Sequence, residues 1–416
     1  GGRRRGKVVD VRERGRKRVV GTIEGPPFAL ALDDGRLASL PVQLQELSGP
    51  IRDEVNKGPR LVVCDVVRYP AEPGESLAVE AATVLGIPGE LSSEIARVLY
   101  EQGIPQEWDE GVLAEAEGVP AALRPEDLEQ RADRRDLPFV TIDPETAKDF
   151  DDAVCARRRD DGSLEVWVAV ADVSHYVRED SAIDVEARIR GCSVYLPGRA
   201  IPMLPDVLSS HLCSLVPDED RLAMVVRFDI GVDGAVSGES AEAAVIRSQG
   251  RLDYPGVAAA LAGDFRGKRA FYEQHVEHLA LLAEGAERLR RRRRGRGSLT
   301  ALDLPEAKVV LDEDDPARVR DVVAARSEEG ERAAYGLIEE LMIAANEAVA
   351  RLFSAAEVPS IYRIHGEPRS ESLERLVNQL GAYGMYVELP RILEPKGMNQ
   401  LLSAISGHPA SRPLAY

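Results

Sequence analysis

The sequence predicts an α+β protein in which a small OB-like (cold-shock) β-barrel precedes a mixed α/β domain. Three observations predict it. Short β-branched runs separated by turn residues fill residues 6–86, a helically spaced connector follows, and from residue 137 extended apolar runs give way to long amphipathic helices. With 416 residues, 44% hydrophobic and 30% charged, the chain has an ordinary globular composition and enough length for more than one core.

Within the first region, residues 7–11, 19–23, 28–32, 61–63 and 77–81 read as strands. Five or so strands in about 80 residues suit a small barrel, with the turn at Asp33, Asp34, Gly35 and Arg36 joining two of them as a hairpin. Such a barrel is equally apt as a single-strand nucleic-acid binder or a structural module. The expected division is therefore an OB-like cold-shock domain over 1–86, a helical connector over 87–136 and a catalytic-type domain over 137–416. In the connector, Ile95, Val98 and Leu99 have helix spacing, and Pro105, Pro120 and Pro125 break it into short pieces. Beyond it, extended stretches at 139–142, 164–171 and 223–228 are separated by loops rich in Pro, Gly and Asp. A helix over 333–353 then carries Leu337, Leu341, Ala345, Ala348 and Leu352 on one apolar stripe.

The net charge of -18 argues, taken alone, against a nucleic-acid partner. The average hides segregation. Arg3, Arg4, Arg5, Lys7, Arg12, Arg14, Arg16, Lys17 and Arg18 crowd the first residues, and Arg288, Arg290, Arg291, Arg292, Arg293, Arg294 and Arg296 form a second block. Either block alone reads as well as a disordered arm or a solvated helix face; two of them flanking an acidic cluster point to a polyanion. No apolar run approaches the roughly 20 residues of a membrane span. Cys64, Cys155, Cys192 and Cys213 lack metal-ligand spacing and read as buried thiols in a reducing, cytoplasmic setting. The absence of an initial Met, and an end at Tyr416 just after a Pro-containing stretch, lead us to expect a fragment.

The most informative run places Asp143, Asp149, Asp151 and Asp152 within ten residues, bracketed by the apolar segments 139–142 and 153–155. Carboxylates gathered beside a core repel one another and lose hydration, so they take up protons or hold a cation. Oxygen donors without His or Cys select Mg2+ or Mn2+ over zinc. Paired ions of that kind, about 4 Å apart, serve in-line phosphodiester hydrolysis. An acidic surface loop and a calcium site are the competing readings, although the spacing lacks the central Gly and terminal Glu of an EF-hand.

These residues resemble the signature of the RNase II/RNase R family, whose catalytic unit is the RNB domain, and within it the RNase R branch. Further matches follow in order at 168–177, 193–205, 209–215, 338–346 and 362–365. The resemblance covers about 137–416, and the preceding barrel is similar to the family's second cold-shock domain. It implies Mg2+-dependent, processive 3'-to-5' hydrolysis of single-stranded RNA to nucleoside 5'-monophosphates; a monomer is expected. Asp143, Asp149 and Asp152 match the family's metal-holding carboxylates, and Asp151 the aspartate on which activity depends most heavily. Tyr195 matches an aromatic that stacks on the 3'-terminal base, and Tyr254 a tyrosine that clamps the RNA. Glu340, or its neighbour Glu339, matches the acid that senses the ribose 2'-hydroxyl.

Without the resemblance, either tyrosine is more simply a packed side chain. His175 and His365 read as hydrogen-bonded core residues, and His275 and His278 as a solvated pair. The family also carries a Ser-Pro-Ile-Arg-Arg-Tyr-like arginine motif and an S1 domain that these 416 residues lack, so weak activity is expected of this piece alone. Two other readings stay open: a non-catalytic RNA-binding protein with a degenerate nuclease domain, and a calcium-stabilised structural domain.

Overall fold

The computed structural model describes residues 11–386 except 13, 14, 16, 38, 73, 121, 298–306, 316, 326–328, 364, 365 and 367, and beyond them only 397, 399 and 405. The chain falls into two compact units. The first takes in the residues up to Glu110 with Arg188–Met203 and Val309–Val323, and the second the remainder. Among the described residues no helix is long and apolar enough to cross a membrane.

In the first unit a five-stranded sheet curls into a nearly closed barrel. Its order is Ala29–Leu32, Arg18–Glu24, Arg60–Arg68, Leu77–Gly86, Val42–Leu44. The last pair is parallel and the others antiparallel, and the helix Gly49–Val55 separates the third strand in sequence from the fourth, the OB arrangement. Alternation explains the core: Val19, Ile23, Val62, Cys64, Leu77 and Val79 point inward with Ile51 and Val55 from the helix. Each such buried aliphatic side chain contributes about 1.5–3 kcal/mol. Gly21 lies where the strand bends most closely on its neighbour, since a Cβ there would stand 2.3 Å from the Ala31 carbonyl oxygen.

One expectation fails here. The turn at 33–36 exists, with Leu37 N–H bonded to the Asp34 carbonyl, but it does not link paired strands. The hairpin instead joins Arg18–Glu24 to Ala29–Leu32 through the Pro-rich residues 25–28. The strand expected at 7–11 lies outside the described residues apart from Val11, and the short strand Val42–Leu44 was not foreseen. In the connector the helix Leu91–Gln102 ends at Gly103 with φ +67°, where the Ile104 N–H caps the Leu99 carbonyl.

The second unit is built on a seven-stranded sheet. Its order is Gly250–Asp253, Val140–Asp143, Asp152–Arg158, Leu164–Ala171, Asp220–Ile230, Val236–Arg247, Ala132–Asp133. The three extended stretches expected from sequence lie in the second, fourth and fifth of these. The helices Tyr254–Leu261, Val276–Gly295 and Glu329–Ala355 cover one face, where Val154, Val166, Val168, Phe228 and Ile230 meet Leu279, Leu282, Leu337, Leu341 and Ala345. The last helix carries the expected stripe, with Leu352 only partly buried.

Candidate metal centre

Sheet geometry brings the acidic run together. Val140–Asp143 leaves the core with Asp143 as its last residue, and Asp152 opens the neighbouring antiparallel strand, where Val140 faces Val154. The two ends of the connecting loop are thus fixed at one edge of the sheet, and Asp149 and Asp151 lie on the loop between them.

Three residues outside the loop, Ser214, Ala171 and Arg251, set its path. The Phe150 ring is buried, and its N–H donates to the Ser214 hydroxyl at 3.0 Å. Ala171 N–H donates to the Asp151 carbonyl at 2.9 Å. From the neighbouring strand, Arg251 Nη2 donates to the carbonyls of Glu145 and Ala147 at 2.5 and 3.4 Å, and its guanidinium lies 5.2 Å from the Phe150 ring centre.

The electrostatics are those of carboxylates short of positive charge. Burial, then repulsion from Asp152, Asp151 and Asp149, pushes the Asp143 carboxyl up to about 7, with Arg251 opposing the rise. Burial and Asp151 push Asp152 up to about 6. Asp151 is exposed as a residue, yet its carboxyl still rises through lost hydration in the crowded loop and through Asp149. Asp143 Oδ2 is buried with no hydrogen-bond partner, an arrangement that costs about 1–3 kcal/mol or more when the group is charged. Among the described residues no three acidic, imidazole or thiol groups converge closely enough to cage an ion as they stand. The residues fit a hard divalent cation in donor type, charge and the orphaned oxygen; holding one requires the side chains to turn inward.

The other expected site residues fall in different settings. Tyr195 is 67% exposed, on a two-stranded hairpin of Val194–Leu196 and Arg199–Ile201 that belongs to the first unit. Tyr254 is not open to a ligand: it is 8% exposed and stacks on Tyr335 at 3.5 Å within the sheet-and-helix core. Glu340 is 3% exposed, and both its oxygens are taken by Arg293 at 2.8 and 3.0 Å. The Glu339 side chain, by contrast, is 64% exposed, so of the two it is the one with open carboxylate surface.

The second arginine block is divided: Arg288 is buried and Arg290 and Arg293 are partly buried, whereas Arg291, Arg292, Arg294 and Arg296 are exposed, and five of the seven form ion pairs within the protein. Arg288 pairs with Glu284, Arg290 with Glu287, Arg292 with Asp233, Arg293 with Glu340 and Arg296 with Glu347. Most of the first block lies outside the described residues, as does His365; Arg18 pairs with Asp65. Cys192 is exposed, whereas the other three cysteines are buried, and all four are free thiols.

His275 and His278 are not solvated. His275 is buried, and His278 Nε2 accepts the Ala156 N–H at 3.0 Å; burial, then His275, drives the His278 pKa down to about 4. His175 is hydrogen-bonded, as expected, between Asp127 and Arg131. Sequence reasoning missed Ser214 and Arg251 as anchors of the acidic loop. The only signal for Ser214 was its place in the run 209–215.

Comparison with known proteins now decides the family. The family model for the RNB domain matches residues 131–415. The chain belongs to this family. Along its length it is 38% identical over 410 residues to ribonuclease R of Thermotoga maritima, covering 97% of this chain and 56% of that protein. To ribonuclease R of Escherichia coli it is 37% identical over 306 residues, covering 74% and 37%. The chain thus spans about half, or less, of the length of these relatives. In fold it is similar to RNase R of Mycoplasma genitalium, solved in complex with ribose-methylated single-stranded RNA, with a TM-score of 0.86, 24% identity and coverage of 98% of this chain and 62% of that one. It is also similar to yeast Ssd1, a pseudonuclease, with a TM-score of 0.68, 16% identity and coverage of 97% and 48%. Likeness at those identities speaks to the RNB and barrel architecture alone.

Proposed function

We propose that this RNB chain is the metal-binding portion of a Mg2+-dependent, processive 3'-to-5' exoribonuclease that degrades single-stranded RNA to nucleoside 5'-monophosphates. The observation that carries the reading is Asp143: a half-buried carboxylate whose Oδ2 is buried and unpartnered, pushed up to about 7 at a strand end where three more aspartates adjoin it. Family membership and the ribonuclease R relatives support it.

In this reading Asp143, Asp149, Asp151 and Asp152 hold Mg2+, with Mn2+ as a substitute. A divalent ion held by these carboxylates would supply Lewis-acid chemistry to a phosphodiester and to water. Asp143 and Asp152 would hold it from strand ends, and Asp149 and Asp151 from a loop tied at both flanks. Arg251 supplies the opposing charge that the Asp143 carboxyl feels. Tyr195 offers an exposed aromatic face, which stacks on any base and therefore suits an enzyme that removes every nucleotide. Monomeric action in the cytoplasm, in keeping with the four free thiols, completes the proposal.

The test is nucleotide release from labelled oligo(A) in Mg2+ by the intact gene product and its Asp151→Asn variant. The expected result is loss of turnover of roughly 100-fold or more with RNA affinity retained. An intact product that binds RNA without releasing nucleotide would favour the non-catalytic reading.

A further inference from the structure

We propose that Ser214 is a positioning residue for the metal-binding carboxylates: its buried hydroxyl fixes the backbone on either side of Asp149 and so sets the path of the loop that carries Asp149 and Asp151. The proposal rests on the metal-site reading above.

A single hydroxyl has one hydrogen to give and lone pairs to accept with. Ser214 uses both. It accepts the Phe150 N–H at 3.0 Å and donates to the Lys148 carbonyl at 3.2 Å, so its two partners bracket Asp149. The next residue adds a third tie, from Leu215 N–H to the Phe150 carbonyl at 2.8 Å. Ser214 is fully buried.

The anchor is itself held in place. Ser214 follows the π-helical turn Val207–Leu212, closed by the bond from Cys213 N–H to the Leu208 carbonyl. Turns of this kind are costly and often mark functional sites. The buried Arg221 then donates Nε to the carbonyls of Ser214 and His211, at 2.8 and 3.2 Å. The run 209–215, which the sequence singles out without a role, thereby acquires one: it delivers a hydroxyl from about 65 residues away in the chain to the one loop whose geometry must suit an ion.

Residues that orient metal ligands typically change metal affinity by roughly 10- to 100-fold when removed. The experiment measures Mn2+ binding by calorimetry on the 416-residue chain and on its Ser214→Ala and Ser214→Thr variants. Metal-free melting and hydrogen exchange at the Phe150 amide are recorded alongside. Wild type and Ser214→Thr are expected to bind alike. Ser214→Ala is expected to bind at least about 10-fold more weakly and to exchange the Phe150 amide faster, with its metal-free melting temperature lowered but a cooperative transition kept, so that binding is compared between folded proteins. If Ser214→Ala fails to fold, Ser214→Cys, which keeps the volume with a poor donor, carries the same comparison. Wild type binding Mn2+ with Ser214→Ala binding equally well would overturn the positioning role alone. A wild type that binds no Mn2+ would overturn the metal site and this inference with it.

Discussion

Arg131 Nη2 lies 2.6 Å from a carboxylate oxygen of Asp172, with both side chains about nine-tenths buried. Asp172 follows directly on the strand Leu164–Ala171, whose last N–H holds the Asp151 carbonyl. Burial alone would raise the Asp172 carboxyl; bonds from Ser174 and Arg131 outweigh it and hold the pKa below the usual range. Removing one partner of a buried pair leaves an uncompensated charge and costs about 3–5 kcal/mol. Arg131→Met is therefore expected to lower the urea midpoint strongly. Arg131→Met combined with Asp172→Leu should cost less than the two single variants together, which a double-mutant cycle reads directly.

His278 makes stability depend on pH with a definite sign. Its folded pKa of about 4 lies below the unfolded value of 6.5, so the unfolded chain binds the extra proton between those limits. Its contribution is complete above pH 6.5 and is lost as pH falls towards 4. His278→Gln keeps an acceptor for Ala156 and does not titrate. Wild type should lose on the order of 2 kcal/mol more than the variant between pH 7 and 4.5, by chemical denaturation at each pH.

Tyr195 and Tyr254 should separate binding from stability. Tyr195→Ala removes an exposed ring and is expected to weaken single-stranded RNA binding by about 1–3 kcal/mol with an unchanged melting temperature. Tyr254→Ala removes a stacked core ring and should cost about 3–5 kcal/mol of stability. Fluorescence anisotropy and thermal melts on both variants check the contrast.

Much of the fold was legible because its signals are local. β-Branched runs between turn residues marked four of the barrel strands, helical spacing marked the stripe of Leu337, Leu341 and Ala345, and apolar flanks marked the acidic run as lying near a core. What stayed hidden depends on distant partners. His278 looked solvated because its acceptor role comes from Ala156, 122 residues away. Glu340 looked available because nothing local reveals that Arg293 closes on it. Nor does anything local show that Arg292, Arg293 and Arg296 pair with Asp233, Glu340 and Glu347, which arrive from other elements.

The central claim is that Asp143 and its neighbours are carboxylates arranged to receive a divalent cation. Their raised folded pKa values mean that the metal-free folded chain binds more protons than the unfolded chain from about pH 4 to 7, so this cluster costs stability above pH 7 and relaxes as pH falls. The deciding measurement is the melting temperature of the chain and of Asp143→Asn, with and without Mn2+, at pH 7.5 and pH 5. The account predicts a clear Mn2+-induced rise in wild type at pH 7.5, a smaller one at pH 5, and little response in the variant. No response in wild type at pH 7.5, or an equal response in Asp143→Asn, would contradict it.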